Sequence, residues 1–388
     1  MSQFLNYFNV SGRHALIILA VAVSFFIGNG QSDLFDNSET HYTRVIQEMQ
    51  STGDYLTLHF NGEPWFVHPP LYFWMSSGLT TVFGWTPMIL RLQEALFSLG
   101  ILWLTYAIAV LFYSRIVALT SVLICGSSFY IIALGKLAIF DAHLYFFMML
   151  SLFFILRAHV NDRISVRPMA LAGIATALGI LVKGPIALVQ QLMVFGPFFI
   201  AIKQWRILLR PQIWFGIVLS IALVVPWYGH QLMVHGHEFF VGALKDYTWY
   251  RFFDVVENQT GPWYYYFFVL GAFFPWIGWL PQVMVQTIRN KIQINSSLER
   301  QGIVFAWLMI GITFIFFSVA KTKLPNYIYL VSQLLNKSNI YSVKLNPKVI
   351  ENIIRKRFSI CWRWFYRMQI PLVIGYDKFM HDLTGFHI

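Results

Sequence analysis

Carboxylates and cations suited to a group-transfer reaction stand at the ends of apolar segments of this chain. Asp141 opens the helix-like run in "LAIFDAHLYFF", and Lys183 lies between two apolar runs in "ILVKGPIAL". Ionisable groups at or near a bilayer are costly and are usually kept for a task. A carboxylate can take a proton from a hydroxyl, and an ammonium can stabilise a departing phosphate. A simpler interpretation is that Asp141 caps a helix and Lys183 snorkels to the surface.

An earlier acidic stretch, "DLFDNSETHYTRVIQEM", predicts a helix that lies along the membrane. Asp36 or Ser38 can cap this helix, and Glu39 falls in its first turn, near positive backbone dipoles. Glu39 is thus either a reactive acid or a group that stabilises the helix dipole. The apolar face has the helical spacing expected of an amphipathic segment: Tyr42, Val45, Ile46 and Met49.

The stretch "NGEPWFVHPPLYFW" (residues 61–74) is rich in turns just before an apolar run. Asn61-Gly62 is a tight-turn signal, and the two prolines after His68 favour an extended backbone. We therefore expect His68 to be held near the lipid surface, as a ligand of an anion or as a plain interfacial residue.

Further cations and a tyrosine follow at later junctions. "AKTKLPNYIYL" contains Lys321, Lys323 and Tyr327, and "WYRF" contains Arg251. With the carboxylates they predict a one-sided site that combines proton removal with phosphate binding. A reaction that needs both, with a lipid-embedded substrate, is glycosyl transfer from a polyprenyl-phosphate sugar.

The composition places these groups in an integral membrane protein. The 388 residues are 57% hydrophobic, 18% aromatic and 12% charged, whereas soluble domains carry roughly 25% charged residues. The net charge of +11 is attributed to membrane topology rather than to nucleic-acid binding. The two cysteines form neither a disulfide framework nor a metal pattern.

Apolar runs predict an all-α polytopic bundle of about ten spans, since about 20 apolar residues cross a bilayer as a helix. The first run lacks a small-residue cleavage site and is predicted to be an uncleaved anchor. The predicted spans are 14–29, 88–112, 116–134, 142–157, 168–182, 185–202, 213–229, 264–286, 301–319 and one that starts at 325.

Basic residues assign the sides of the membrane. Alternate loops that share a side with Arg13 are rich in Lys and Arg, whereas the acids collect in the opposite loops, mainly 30–70 and 230–263. By the positive-inside rule this predicts a multi-pass protein of the cell inner membrane with its site on the outer face. Residues 1–335 are predicted to form the transmembrane domain.

Residues 336–388 form a basic tail with no spanning run. It is either an interfacial segment or the product of an altered reading frame that truncates a longer protein. The second is favoured, because the run that starts near residue 327 is too short to cross the bilayer.

The ordered motifs resemble the dolichyl-phosphate-mannose protein mannosyltransferase superfamily over roughly residues 30–335. They are "STGDYLTLHFNGEPWFVHPPLYFW", "FDAHLYFFMML", "LGILVKGPIAL", "PWYGH…YRF…PWYYYFFVLGAFFPW" and "KTKLPNYI". Within it the chain is most similar to bacterial 4-amino-4-deoxy-L-arabinose lipid A transferases. The resemblance implies a GT-C membrane fold with a long first outer loop, a polyprenyl-phosphate-linked donor and inverting transfer.

Several residues match the family pattern, namely Asp141, Lys183, Arg251, Lys323 and Tyr327. In the first loop, Ser38 stands where the family usually has its catalytic acid. Glu39 or Asp36 is therefore expected to act as the base, with Asp141 orienting the acceptor. His41 followed by Tyr42 stands where the family has Arg-Tyr.

Other departures from the family concern phosphate and metal binding. His68 replaces a phosphate-binding lysine, and Val67 replaces an acid implicated in metal binding in some members. Asp246 lies where some relatives have a histidine that is a candidate metal ligand. A divalent metal is the one cofactor left open.

The sequence therefore predicts a hexosyl or pentosyl transferase that uses a polyprenyl-phosphate sugar and a lipid, glycan or protein acceptor. The expected substrate-binding residues are His41, Tyr42, His68, Lys183, Arg251, Lys321, Lys323 and Tyr327. The alternatives are an inactive truncated remnant of such an enzyme and a binder or transporter of lipid-linked sugars. Transporters are often built from internal repeats, and this sequence shows none, which argues against a transporter.

Overall fold

The structure is a computed structural model of the whole chain. It describes residues 19–34, 37–243, 245, 251–255, 261–262, 264–274, 276–279, 285 and 296–324. The chain divides into two compact units, Met1–Ile340 and Tyr341–Ile388, and all described residues belong to the first.

Helices dominate the described residues. A two-stranded antiparallel hairpin, β1 (His59–Phe60) and β2 (Glu63–Pro64), lies between the first two of them. The longer helices are α1 (Asn37–Thr52), α2 (Leu71–Phe83), α3 (Pro87–Phe112), α4 (Arg115–Gly126), α5 (Phe129–Leu134), α6 (Asp141–Val160), α7 (Val166–Lys183), α8 (Ile186–Ala201), α9 (Pro211–Phe239) and α10 (Ser297–Val319).

Five of these helices are long and apolar enough to cross a membrane: α3, α6, α7, α9 and α10. The shorter apolar helices α4 and α8 accompany them. Large apolar side chains such as Trp214, Val218 and Val225 of α9 are exposed, as expected for a surface solvated by lipid. The prediction of an all-α polytopic membrane protein is confirmed.

Helix α6 lies at the centre of the bundle, where it packs against α3 and α7, and α7 in turn packs against α9. The α7–α9 contact needs glycine, because a Cβ on Gly173 would lie 2.3 Å from the backbone oxygen of Gly216. This close approach holds α7, which ends at Lys183, against α9.

The predicted span 116–134 is wrong as a single helix, because the chain breaks between α4 and α5. At the break the hydroxyls of Ser127 and Ser128 donate to the carbonyls of Leu123 and Ile124. Serine side chains compete in this way with the backbone ladder and so favour helix ends.

The predicted span 264–286 also differs. Its described part forms a short helix, Tyr265–Val269, followed by 3₁₀ turns at Leu270–Phe273 and Trp276–Trp279. Phe274, which precedes a proline in the sequence, has an extended backbone with φ −51° and ψ 140°. The residue before a proline is disfavoured in the α region, which explains the interruption.

The predicted amphipathic helix is confirmed as α1, whose side chains Val45, Ile46 and Met49 are fully buried. The tight turn predicted at Asn61-Gly62 is confirmed as well, since both residues have positive φ.

Glu48 of α1 joins the helix to this turn. Its carboxylate accepts from the amides of Asn61 and Gly62 at 2.9 and 3.0 Å, and Arg44 lies 2.7 Å away. Desolvation by burial raises the pKa of Glu48, but these hydrogen bonds and Arg44 outweigh it and leave the pKa below its ordinary value of 4.5. The turn is thereby anchored just before the segment that carries His68.

Some predictions fall on residues that the structure leaves undescribed. These are the start of the first span, the span predicted from 325 and the tail 336–388. The predicted domain boundary at residue 335 stays a prediction.

Replacing Glu48 by Gln is expected to lower the free energy of opening the hairpin by about 1 kcal/mol, because an amide accepts through one oxygen only. The population of the open hairpin should then rise roughly fivefold. A carboxylate whose pKa is lower in the folded than in the unfolded protein stabilises the fold at pH values above its unfolded pKa. This stabilisation is lost as the pH falls through the folded pKa. Limited proteolysis of residues 53–65 is the measurement. The variant should be cut faster at pH 6–7, and the difference should shrink below the ordinary pKa of 4.5.

Glu63→Gln is the control, because Glu63 is an exposed carboxylate of the same hairpin. Equal cleavage of wild type and Glu48→Gln at pH 7 would contradict the anchoring role of Glu48.

Candidate active site

A close pair of opposite charges joins the start of α6 to the end of α7. Asp141 Oδ1 accepts from Lys183 Nζ at 2.6 Å. The Asp141 side chain is 3% exposed and that of Lys183 is 12% exposed. Gly184, with φ +88°, ends α7 directly after the lysine, in a conformation that other residues rarely adopt. The sequence prediction brought these two residues to one region, and the structure places them in contact.

Three rings line one side of this pair and form what we call the aromatic wall: Tyr42, His68 and Phe140. The ammonium of Lys183 lies 4.8 Å from the centre of the Phe140 ring. Phe140 packs against His68 with ring centres 4.2 Å apart and against Tyr42 at 5.0 Å. The hydroxyl of Tyr42 is 3.4 Å from His68 Nε2. The predicted binding residues Tyr42, His68 and Lys183 are therefore neighbours.

A buried ion pair holds this region together from behind. Arg91 of α3 is 2% exposed and Glu39 of α1 is fully buried. The Arg91 guanidinium donates through Nε to Glu39 Oε1 at 2.9 Å and through Nη2 to Oε2 at 2.8 Å. It also donates to the carbonyls of Asn29, Ser32 and Asp33.

Glu39 also holds the segment that leads to Asp141. Its Oε1 accepts from the backbone amide of Ala138 at 2.6 Å. A base must present a free oxygen lone pair to the substrate, whereas Glu39 has no exposed surface and both oxygens are bound. The geometry therefore gives Glu39 a positioning role and does not support its expected role as the base.

Lys323 lies against its own helix. It is 6% exposed and its ammonium donates to the carbonyls of Ser318 and Ala320 at the end of α10. A cation at this end suits the helix dipole. Burial lowers the pKa of Lys323.

Lys321 is exposed, 3.5 Å from Asp254, and its backbone amide donates to Phe252. The backbone next to Arg251 therefore lies at the Lys321 junction, and the predicted grouping of the two cations stays a prediction. The side chain of Arg251 is outside the described part.

His41 faces a different neighbourhood. Its ring stacks on Phe60 with centres 3.8 Å apart and an interplanar angle of 5°, and it lies 5.2 Å from Trp65. These contacts place His41 in the packing between α1 and the hairpin. Its expected phosphate contact stays a prediction.

Three predicted site residues, Asp36, Asp246 and Tyr327, fall outside the described residues. Within the part of the chain that the structure describes, no three His, Cys, Asp or Glu side chains converge in a way that would hold a metal ion. The metal role predicted for Asp246 is untested.

Sequence reasoning assigned no role to four residues that border the site. Arg91, Glu94 and His143 are charged or titratable groups in apolar runs, which is a functional signal in itself. Tyr228 belongs to the motif "PWYGH", and a Cβ at Gly184 would lie 3.8 Å from its hydroxyl.

The chain has relatives among known protein families. Residues 19–240 match the family described as "Dolichyl-phosphate-mannose-protein mannosyltransferase". An undecaprenyl phosphate-alpha-4-amino-4-deoxy-L-arabinose arabinosyl transferase of Shewanella sediminis is 30% identical over 80% of this chain and 57% of its own length. A second such transferase, from Pseudomonas fluorescens, is 26% identical over 82% of this chain and 58% of its own. The chain thus spans about half the length of the curated relatives it matches.

Solved structures share the fold. ArnT from Cupriavidus metallidurans bound to undecaprenyl phosphate superposes with a TM-score of 0.77 at 21% identity, covering 90% of this chain and 64% of that one. An oligosaccharyltransferase from Archaeoglobus fulgidus gives a TM-score of 0.55 at 11% identity, with 94% and 54% covered. At these identities the likeness is one of fold.

Replacing Arg91 by Met is expected to destabilise the protein by about 3–5 kcal/mol, because it leaves the buried Glu39 carboxylate without a counter-charge. The double variant Arg91→Met/Glu39→Gln should recover a large part of this loss, since no buried charge then remains unpaired. Denaturant titration in detergent, followed by tryptophan fluorescence, measures the change.

Arg44→Ala serves as the control and should cost about 0.5 kcal/mol or less, because the Arg44 side chain is 54% exposed and water screens its i,i+4 pair with Glu48. A double variant that loses as much as the two single variants added together would show that Arg91 and Glu39 are not coupled.

Proposed function

The chain belongs to the dolichyl-phosphate-mannose-protein mannosyltransferase family, and from this premise we propose that it is an inverting glycosyltransferase. It moves a sugar from a polyprenyl-phosphate donor to an acceptor hydroxyl. One observation carries the proposal: the Asp141–Lys183 pair lies against the aromatic wall, at the ends of two membrane-length helices.

This arrangement fits the chemistry of the reaction. The acceptor oxygen attacks the anomeric carbon on the face opposite the phosphate. The bond from that carbon to the phosphate oxygen breaks, and its electron pair leaves with the phosphate. The hydroxyl proton passes to a carboxylate. A site for this step needs a cation at the phosphate and an acid near the hydroxyl.

Lys183 is the cation proposed to meet the phosphate. Its side chain keeps some exposed surface beside Asp141, so the ammonium can turn from the carboxylate to the incoming phosphate. His68 and Tyr42 can each donate a further hydrogen bond from the aromatic wall. Arg251 and Lys321 are proposed to approach the same phosphate from the second junction.

Asp141 and Asp36 are the proposed acids for the hydroxyl proton. Asp141 would be released when Lys183 turns to the phosphate. Asp36 is kept as a proposed base because Ser38 stands where the family usually has its catalytic acid. Glu39 is left out of the proton transfer, because its two oxygens hold Arg91 and Ala138.

The curated relatives suggest the substrate class. Their names specify an undecaprenyl-phosphate-linked 4-amino-4-deoxy-L-arabinose, so we propose an undecaprenyl-phosphate pentose as the first donor to test. The acceptor is a hydroxyl of a lipid, glycan or protein. Access from the bilayer suits a donor whose tail stays in lipid.

The proposed place of reaction is the outer face of the inner membrane. The basic loops 113–115, 158–167 and 203–212 lie on the opposite side from the acid-rich loop 30–70 by the positive-inside rule. The Asp141–Lys183 pair belongs to the side of loop 30–70, since His68 and Tyr42 pack beside it.

Asp141→Asn and Lys183→Met are each expected to lower transfer by about a hundredfold or more, the loss seen when a group that stabilises developing charge is removed. The assay uses the purified chain in liposomes with the donor and lipid A, and mass spectrometry of the lipids reads out the product. Lys183→Met should also weaken binding of undecaprenyl phosphate, because it deletes a phosphate contact.

Arg167→Met is the matched control, since Arg167 is an exposed cation of the same helix α7 near its other end. Binding of undecaprenyl phosphate with no covalent product from any acceptor would instead indicate a binding protein. Full activity of both site variants would overturn the assignment of Asp141 and Lys183.

Orientation has its own test. In a Cys361→Ser background, a cysteine in place of the exposed Glu63 should react with a membrane-impermeant maleimide in cells whose inner membrane is intact. A cysteine in place of the exposed Arg163 should react only after permeabilisation, because the basic loops stay inside. The reverse pattern would place the site on the cytoplasmic face.

A further inference from the structure

Behind the Asp141–Lys183 pair lies a second acid–base pair that the proposed reaction does not use. Glu94 of α3 and His143 of α6 are both fully buried, and His143 Nδ1 lies 2.7 Å from Glu94 Oε1. A ring nitrogen and a carboxyl oxygen this close need a shared proton, because otherwise two lone pairs would face each other. Titratable groups buried in membrane helices are costly and mark function.

The pair contacts the helical turn that carries Asp141. His143 is two residues beyond Asp141 in the first turn of α6, and the Glu94 carboxylate faces the backbone amide of Ala142. A carboxylate at a helix N-terminus is favoured by the helix dipole and by the free amides of the first turn. Glu94 therefore lies against this turn on the side of α3.

Packing prevents the imidazole from turning away. The ring of Phe97 lies 4.0 Å from that of His143, centre to centre, and Tyr72 meets it edge-on at 5.3 Å. The hydroxyl of Tyr72 donates to the carbonyl of Ala138. The segment that leads into this turn is thus held as well.

Charge around the pair is balanced group by group. The carboxylates that face Glu94 are those of Asp141 and Glu39. Asp141 has Lys183 as its partner, and Glu39 has Arg91. His143 shares one proton with Glu94, so this pair is neutral overall whichever of the two groups carries the proton. It therefore adds no buried charge next to Asp141, where the proposed reaction brings in a phosphate.

We propose that Glu94 and His143 are positioning residues that fix the first turn of α6, so that Asp141 keeps Lys183 at the place from which its ammonium turns to the substrate phosphate. They act through Asp141 and do not touch the substrate. This inference rests on the proposed function and deepens it.

Glu94→Gln keeps the volume of the side chain and removes the carboxylate. Transfer should fall by about tenfold to a hundredfold, because small displacements of reacting groups cost this much. The affinity for undecaprenyl phosphate should fall by about threefold to tenfold by the same displacement of Lys183. His143→Gln should show the same two losses.

A double-substitution cycle separates positioning from general damage. In an Asp141→Asn background, Glu94→Gln should change undecaprenyl phosphate affinity by less than about twofold, because a residue that acts through Asp141 has no effect once Asp141 is absent. Equal losses in both backgrounds would mean a merely structural role and would overturn the inference.

The control removes a comparable buried polar pair elsewhere. Gln190 of α8 donates to Thr313 of α10 at 2.9 Å, and both are buried. Gln190→Leu/Thr313→Val should leave affinity and transfer near wild type. Thermal unfolding of every variant shows whether it is folded. If Glu94→Gln does not fold, His143→Gln replaces it in the double-substitution cycle with Asp141→Asn.

The two proposals fail differently. A wild-type protein that neither binds undecaprenyl phosphate nor transfers a sugar overturns the proposed function. A wild type that does both, with Glu94→Gln and His143→Gln unchanged in both measurements, overturns the inference alone.

Discussion

The buried ion pair between Arg91 and Glu39 is the interaction on which the rest of the site depends. A guanidinium has five donors in a rigid fork, and those of Arg91 are bound by Glu39 and by carbonyls between Asn29 and Asp33. The pair thereby joins α3, α1 and the loop before α1. Such a pair adds little net stability, yet removal of one partner is strongly destabilising because the other charge is left buried and unpaired. Its main effect is to permit one arrangement of these segments.

Segment 138–143 is where the buried charges converge. Glu39 holds its beginning through the Ala138 amide, and Glu94 holds its end through His143. Between them Asp141 reaches Lys183. Glu39 and Asp141 each have a cationic partner, and Glu94 shares a proton with His143, so this part of a lipid-solvated bundle is electrically balanced.

Much of the fold follows from apolar periodicity, because a helix in lipid must satisfy its own backbone. The predicted span 88–112 corresponds to α3, and 185–202 corresponds to α8. An apolar pattern does not show where side chains compete with the backbone for hydrogen bonds, as Ser127 and Ser128 do at the end of α4. Nor does it show where an apolar helix ends, since α9 continues beyond its predicted end at 229 as far as a kink at Gly236.

The sequence by itself determined the class of protein and the family, because hydropathy and motif order are local properties. The same signals predicted Asp141, Lys183 and His68 as site residues. Only the tertiary structure decided which charges meet. Glu39 and Arg91 are 52 positions apart, and Asp141 and Lys183 are 42 apart. A buried carboxylate becomes a base or a tether according to its partner, and that partner is set by helix packing, which no local pattern encodes.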